Sequence, residues 1–187
     1  MTCVVTEFHL ASLCQETPFL ATVELFGRIE IHGMLQDYLE AYYQFHLEKE
    51  EDLDEEELNE RELKARTALD VLVAIFAEQD CFRDENCALE FLNRATSDKD
   101  QKILQCFSAW IDELMEQHKP QDGLVHLTAS TAEELNILLE PWVTTNSAVN
   151  GDGFGQAPSL WPMVRIVRVG MQSKLLRRGI IISDLPG

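Results

Sequence analysis

The chain has 187 residues, of which 45% are hydrophobic, and its 15 basic and 33 acidic side chains give it a formal net charge of −18. This charge argues against binding to nucleic acid or anionic lipid, because like charges would meet. No stretch approaches the ~18 apolar residues of a membrane span, and the first ten residues lack the features of a secretory signal. We therefore expect an intracellular protein, cytoplasmic or nuclear, with no transmembrane segment.

Residues 1–31 are predicted to form a β hairpin. The segments 3–8 and 22–31 are rich in β-branched and aromatic residues, and Val23 and Leu25 alternate with Glu24 in the second of them. A turn is available between the two segments, from Gln15 to Pro18. An antiparallel pair is the simplest arrangement of two such strands.

Residues 32–140 are predicted to be helical, because apolar residues recur every three or four positions. They form three stripes: Met34, Leu35, Tyr38, Leu39 and Tyr42; Leu69, Leu72, Val73 and Phe76; and Ile103, Leu104, Phe107, Trp110, Ile111, Leu114 and Met115. Ser97 is expected to cap the third helix, with Asp98 and Asp100 in its first turn. Ser130 and Glu133 have the spacing of a further capping box.

An acidic run, residues 48–62, lies inside the helical zone. It holds ten acids and two bases, which gives a local charge of −8. The simpler interpretation is a solvated or partly disordered junction between helices, kept open by its own repulsion. The alternative is an acidic surface that attracts a basic protein partner.

Residues 141–157 are predicted to be a loop. The glycines at positions 151, 153 and 155 suggest a phosphate cradle, but such a cradle needs a strand before it and a helix after it. Here Pro158 and the pair Trp161-Pro162 follow. We therefore interpret the glycines as part of a flexible linker.

Residues 158–187 are predicted to form a second β hairpin. Residues 163–169 are a strand by residue type, and residues 179–183 form an apolar strand of the kind that is buried on both faces of a sheet. Residues 172–178 turn the chain back between them. The bases of this zone are expected to neutralise part of the acidic helical zone; they are Arg165, Arg168, Lys174, Arg177 and Arg178.

The last four residues, Asp184-Leu185-Pro186-Gly187, carry the chemistry that we single out. A carboxylate at the end of a strand can hold a water of hydrated Mg²⁺, and a glycine lets the backbone approach a phosphate closely. The same residue types are also common in turns. The motif alone therefore leaves both interpretations open.

With the apolar strand before it, this ending resembles the Asp-Leu-Pro-Gly signature of the dynamin-like large GTPases. The strands that lead to it resemble those of fungal relatives of the nuclear GTPase SLIP-GC, and residues 2–8 resemble the switch-I segment of the same group. The resemblance implies that Thr2 is the switch-I hydroxyl, with a catalytic and a metal-holding role, and that Thr6 is its runner-up. It implies that Asp184 contacts the metal through water and that the N–H of Gly187 binds the γ-phosphate of the cofactor.

The fold class implied is α/β, with a partial mixed sheet of the P-loop GTPase type and a large helical insertion, so that residues 1–187 make one incomplete GTPase-like domain. None of the nine glycines is followed by Lys, so the phosphate-binding loop is absent. The guanine-specificity motif Asn/Thr-Lys-x-Asp is absent too. Mg²⁺ and GTP are therefore implied for a full-length parent, and we expect neither to bind this chain tightly.

Two hypotheses follow from the sequence. The first is a fragment of a dynamin-like GTPase domain that is not catalytically competent alone, with strand edges exposed around residues 180–182 and self-association possible. The second is a non-catalytic interaction module whose acidic helical region binds a protein partner. The histidines and cysteines have no spacing typical of a metal site, and no Gly-x-Ser-x-Gly elbow supports a hydrolase.

Overall fold

The computed structural model describes residues 3–48, 54–118, 120–144 and 158–185. In chain order the elements are β1 (Thr6–Leu10), β2 (Phe19–Leu25), α1 (Arg28–His46), α2 (Glu55–Ile75), α3 (Glu85–Leu92), α4 (Gln101–His118), β3 (Leu124–Ala129), α5 (Ala132–Val143), β4 (Val164–Met171) and β5 (Ile182–Asp184). The strands form one five-stranded mixed sheet. The predicted α/β fold class is confirmed, and in the described ranges four α-helices lie between β2 and β3 in the chain.

The described residues fall into two compact units. The first holds the whole sheet with α5, from residues within 1–27, 116–145 and 159–187. The second holds the helices of residues 28–115. The prediction of a single GTPase-like domain is not decided by this division and stays a prediction.

The order of the strands is β3-β2-β4-β1-β5, and both predicted hairpins are wrong. Strand β4 lies between β1 and β2, parallel to β1 and antiparallel to β2, and β1 lies between β4 and β5. The physical reason is burial: Val167 and Val169 of β4 are fully buried, and they lie opposite the buried Val23 and Ala21 of β2. The two chain segments therefore interleave instead of forming separate pairs.

The connection from β1 to β2 crosses the end of β4, where the sequence predicts a tight turn. It spans two strand spacings, about 10 Å. The Gln15 side-chain amide donates to the carbonyl of Thr17 (2.8 Å) and to that of Gly170 in β4 (3.0 Å). Gly170 leaves room for this approach, since a Cβ built there would lie 2.6 Å from Gln15 Oε1. Gln15 thus ties the crossing connection to the strand beneath it.

Two boundaries differ from the sequence prediction. Strand β2 ends at Leu25, and residues 28–31 begin α1, where Ile31 is buried and Ile29 is 89% exposed. Residues 124–129, predicted to be helical, form β3 at the edge of the sheet next to β2. A turn with positive φ at Asp122 and Gly123 precedes β3, and this turn ends the helical stretch.

Aromatic side chains form the core of the helical unit. Phe107 of α4 stacks on Phe76 with a ring-centroid distance of 5.0 Å, and Trp110 meets Phe76 edge-on at 5.2 Å. Phe82 and Phe91 pack against the same group. The predicted helices α2 and α4 are confirmed, and α4 buries its predicted face. In α2 the buried face is centred on Val71, Leu72 and Ile75, whereas Leu69 and Val73 of the predicted stripe are only partly buried.

The helix caps lie close to the predicted positions but not at them. Asp100 caps α4 in place of Ser97, and Thr131 caps α5 by accepting a hydrogen bond from the Glu134 N–H at 3.1 Å. Helix α5 continues to Val143, beyond the predicted start of the loop at residue 141. The glycines at 151–155 lie outside the described residues.

Asp100 is held by more hydrogen bonds than an ordinary cap. It is buried, and it accepts from the backbone N–H (3.0 Å) and hydroxyl (2.7 Å) of Thr96 and from the N–H of Ile103 (3.3 Å) and Lys102 (2.9 Å). These bonds, those from Thr96 foremost, lower the pKa of Asp100 from 3.8 to about 2. The charged carboxylate therefore joins the start of α4 to the loop before it.

The acidic run is partly helical. Asp54 caps α2 in a capping box with Glu57, while residues 49–53 lie outside the described part. The side chains of residues 54–60 are all exposed, including Leu58 at 47%. From residue 54 onward the run thus forms the solvent-exposed first turns of α2, and its acids lie near the positive end of the helix dipole.

Strand β5 is the outermost strand of the sheet and is exposed along its whole length. The prediction that residues 179–183 are buried on both faces is wrong, because all five residues are exposed. The expectation of exposed apolar side chains around residues 180–182 is confirmed.

Replacing Phe107 tests the aromatic core. Phe107→Ala removes a fully buried ring, and we expect the free energy of unfolding to fall by about 3–5 kcal/mol. Leu63→Ala is the matched control, because Leu63 is 66% exposed and its loss should cost less than about 0.5 kcal/mol. Urea denaturation followed by circular dichroism measures both, and equal losses would contradict the assignment of the core.

The low pKa of Asp100 predicts an acid dependence of stability. Because the folded-state pKa lies below the unfolded one, the charged carboxylate stabilises the fold above about pH 4, and this stabilisation is lost as the pH falls toward about 2. Asp100→Asn should be less stable than the wild type at pH 7, and the gap should close between those values. Denaturation at a series of pH values measures the gap, and Asp98→Asn on the half-exposed neighbour is the control. A constant gap would refute the role of the charge.

Candidate functional site

Of Thr2, Asp184 and Gly187, only Asp184 lies within the described part of the chain, and the runner-up Thr6 is described as well. Asp184 is the last residue of β5 and is exposed. Thr2 and Gly187 lie outside the described residues. Their proposed roles therefore stay predictions, and the geometry of the site is that of Asp184 and the strand beside it.

The register of β1 and β5 determines what lies next to Asp184. The strands are antiparallel, with Thr6 opposite Asp184, Glu7 opposite Ser183 and Phe8 opposite Ile182. Thr6 begins β1 and Asp184 ends β5, so the chain enters β1 and leaves β5 at the same end of the sheet. Directly opposite residues in an antiparallel pair have Cα atoms about 4.5–5.5 Å apart and side chains on the same face.

Thr6 belongs to the buried face of the sheet. Its neighbour in β4 is Val167, and the neighbour of Val167 in β2 is Val23. Both valines are fully buried. Thr6 itself is 6% exposed, and its hydroxyl donates to the Val4 carbonyl at 3.5 Å. This hydroxyl is therefore directed to its own backbone, and the surroundings fit a core position better than a metal ligand.

A row of polar side chains crosses the opposite face. Arg168 lies in the middle of it, with Nη1 2.6 Å from Glu24 Oε2 and Nε 3.6 Å from Glu7 Oε2. Arg165 approaches Glu24 at 3.7 Å and lies over the Phe26 ring at 5.2 Å from its centroid. Two bases of the last β zone thus pair with acids of neighbouring strands, whereas the sequence suggested pairing with the acidic helices.

The row extends over all five strands. Beyond Arg168, Thr22 of β2 makes a hydrogen bond of 3.2 Å with His126 of β3, and on the other side Glu7 lies opposite Ser183 of β5. His9 approaches Glu7 at 3.1 Å. These charges are half-exposed and screened by water, so each pair contributes little to stability, and the row mainly keeps this face of the sheet polar.

The described residues give limited support to a metal site. They contain no group of three or more His, Cys, Asp or Glu side chains arranged to hold a metal ion. Asp184 offers one exposed carboxylate, which is the ligand type that Mg²⁺ prefers and suits a contact through water.

No helix of the described ranges is long and apolar enough to cross a membrane.

Sequence reasoning missed the polar row because its members come from all five strands. The local signal was present in the alternation of Thr22 and Glu24 with the buried Ala21, Val23 and Leu25, and in the bases Arg165 and Arg168. What the sequence did not contain was the order of the strands, which decides which of these side chains meet.

Comparison with known proteins gives one partial likeness. Over 69 residues, which are 36% of this chain and 8% of the relative, the sequence is 33% identical to the nuclear GTPase SLIP-GC of Homo sapiens. The chain resembles a GTPase in part. The match spans less than a tenth of that protein, and no family model or solved structure matches the chain.

Exchanging Thr6 tests its assignment to the core. Thr6→Val keeps the shape and removes a hydroxyl with one long hydrogen bond, so the free energy of unfolding should change by less than about 1 kcal/mol. Val23→Thr is the inverse control: it places a hydroxyl in the same buried row and should cost about 1–3 kcal/mol. Urea denaturation measures both. A loss of more than about 2 kcal/mol in Thr6→Val would show that the hydroxyl matters to the fold.

Proposed function

We propose that this chain is part of a GTP-binding domain of the dynamin-like type and is not catalytically competent alone. The antiparallel pairing of β1 and β5, with Thr6 opposite Asp184, is the observation that carries the proposal. The partial likeness to a GTPase supports it independently. Fungal relatives of SLIP-GC are the group in which we propose to place the full-length parent, with residence in the cytoplasm or the nucleus.

The pairing supports the proposal because of where it brings the two motifs. A hydroxyl and a carboxylate that contact one hydrated Mg²⁺ must come from chain segments that meet at the same end of the sheet. The switch-I-like segment leads into β1, and Asp184 ends the antiparallel neighbour of β1. With β1 and β5 parallel, or separated by another strand, the two segments would lie apart.

Each residue of the proposed site is given the role that its chemistry and its exposure allow. The exposed carboxylate of Asp184 suits a water-mediated contact with Mg²⁺. Thr6 is buried and its hydroxyl faces Val4, so Thr2 remains the proposed switch-I hydroxyl. Gly187 is proposed to donate its N–H to the γ-phosphate, where the lack of a side chain permits close approach. When bound, Mg²⁺ would neutralise charge on the phosphates.

The sequence of the chain limits its own activity. A phosphate-binding loop supplies several backbone N–H donors and a Lys, and no Gly-Lys pair is present in the 187 residues. Without these donors the phosphates of GTP lack their main partners. We therefore assign GTP and Mg²⁺ to the longer parent protein and propose that this chain binds neither tightly.

Calorimetry of the chain with GTP and Mg²⁺ tests the lack of competence. We expect no measurable heat of binding at micromolar protein. Micromolar affinity would overturn this part of the proposal. A parallel titration with ATP is the control for unspecific phosphate binding.

The transcript upstream of Met1 tests the relationship to GTPases. We expect it to encode, in frame, a Gly-rich loop that ends in Gly-Lys-Ser or Gly-Lys-Thr. In the protein expressed from that longer frame, Asp184→Ala should lower the rate of Mg²⁺-dependent GTP hydrolysis at least about ten-fold, whereas Ser183→Ala should leave it within about two-fold. A longer frame without such a loop would refute the proposal.

A second candidate is a non-catalytic module that binds a basic protein segment. The observation that favours it is the first part of α2, where Glu55, Glu56, Glu57 and Glu60 are exposed together with Leu58 and Leu63. Acids and leucines on one solvated helix offer both charge and apolar contact to a Lys-rich amphipathic helix. This candidate stands if the upstream frame contains no phosphate-binding loop.

A further inference from the structure

Two connections pass over the end of the sheet that lies opposite Asp184. The β1–β2 connection, residues 11–18, passes the end of β4, and the β4–β5 connection, residues 172–181, passes the end of β1. Strands β1 and β4 are parallel and end together, with Leu10 opposite Met171. Both connections therefore begin at the same end of the sheet.

The two connections are tied to the strands beneath them. In the first, the Ala11 N–H donates to the Met171 carbonyl at 3.0 Å, and the Gln15 amide binds the end of β4. In the second, Leu176 is 1% exposed, and the Gly179 N–H donates to its carbonyl at 3.1 Å to close a 3₁₀ turn. Side chains on connections held in this way are ordered before a partner binds, which lowers the entropic cost of binding.

A leucine projects from each connection. Leu13 is fully exposed, and Leu175 is 66% exposed although its neighbour Leu176 is buried. The buried Leu176 anchors the turn with Leu175 on its outer side. A single exposed leucine is ordinary on a protein surface, but two leucines on neighbouring, anchored connections offer apolar contact to a partner.

Three bases accompany these leucines. Lys174, Arg177 and Arg178 are exposed and lie within five residues of chain. Within the described ranges they make no ion pair, whereas both bases of β4 pair with acids of neighbouring strands. Glu16 is the one acid in the sequence of the two connections. This end of the sheet is therefore locally positive in a chain that holds 33 acids and 15 bases.

We propose that Leu13, Lys174, Leu175, Arg177 and Arg178 form a docking surface, the basic loop surface, for a short acidic segment of a partner protein. Complementarity of charge identifies the occupant: it carries Asp or Glu side chains for the three bases and apolar side chains for the two leucines. The proposal goes beyond both candidate functions and depends on neither, because the basic loop surface lies away from Asp184 and shares no residue with α2.

The net charge of the chain favours a short segment over an anionic membrane. A membrane would meet the same bases, but its extended negative surface would also repel the rest of a chain with a net charge of −18. A short segment meets only the groups close to the basic loop surface, because charges more than about 8–10 Å away are largely screened at physiological ionic strength.

The affinity follows from the size of the contact. Five side chains bury far less than the roughly 1,200–2,000 Å² typical of a stable interface. We therefore expect a weak and reversible contact, with a dissociation constant of about 10–100 μM.

Fluorescence anisotropy of the 187-residue chain with a labelled synthetic peptide tests the proposal. The probe is a peptide of about 15 residues, Glu with Leu at every third or fourth position. Its control is the same peptide with Ser in place of each Leu, which should bind about five-fold more weakly because the apolar contact is lost.

Variants of the basic loop surface locate the binding. Arg177→Glu combined with Arg178→Glu should weaken binding of the Glu/Leu peptide at least about ten-fold, because like charges then meet. Arg94→Glu combined with Lys102→Glu is the matched control: both bases are exposed on the helical unit, and the change in net charge is the same, so binding should stay within about two-fold. Leu175→Ser should weaken binding about three-fold. Circular dichroism confirms that each variant is folded.

Four results would overturn the proposal. The first is no binding of the Glu/Leu peptide up to about millimolar concentration. The second is an equal loss in the two charge variants, which would show a general effect of net charge. The third is binding to vesicles of phosphatidylserine and phosphatidylcholine without binding to the peptide, which would make a membrane the occupant. The fourth is self-association that excludes the peptide and is abolished by Arg177→Glu with Arg178→Glu, which would make a second copy the occupant. None of these results bears on GTP binding or on α2, so failure here leaves the proposed function unaffected.

Discussion

The register of strand β1 is the constraint that joins the buried face of the sheet to the end that carries Asp184, because β1 pairs with β4 on one side and with β5 on the other. This register directs Thr6 and Phe8 to the face that holds the buried valines and Glu7 to the face that holds Arg168. A slip by one residue would exchange the two faces. Glu7 would then enter the apolar layer, and the polar row would lose its acid. The alternation along β1 thus selects one arrangement of the sheet.

The same register links the fold to the proposed function. Asp184 owes its position to the pairing of β5 with β1, and the segment before β1 leaves the sheet at the same end. The sequence motif supplied the residue types, but a motif does not contain the distance between two ends of a chain. The pairing brings Thr6, the first residue of β1, opposite Asp184, and this is why we propose a joint role for a carboxylate at residue 184 and a hydroxyl before β1.

The helices were predictable from the sequence because their signal is local. The stripes that contain Leu72 and Phe107 repeat every three or four residues and needed no knowledge of partners. Strand pairing is not local, so the two hairpins were predicted wrongly: neighbours in the chain were taken as neighbours in the sheet. Strand β3 was missed because its six residues follow a long helical zone, and its edge position requires little apolar alternation. The observed helix caps lie one to three residues from the predicted ones. Several acids and hydroxyls are available at each helix start, and the conformation of the preceding loop determines which of them caps the helix.

The contact of Gln15 with Gly170 has an evolutionary consequence. The amide that ties the β1–β2 connection to β4 occupies the space that any side chain at position 170 would need. A mutation to alanine there would displace this amide and release the carbonyls that it joins. Positions 15 and 170 should therefore change together or not at all among homologues, and a lineage that loses the glycine should also replace the glutamine with a smaller residue.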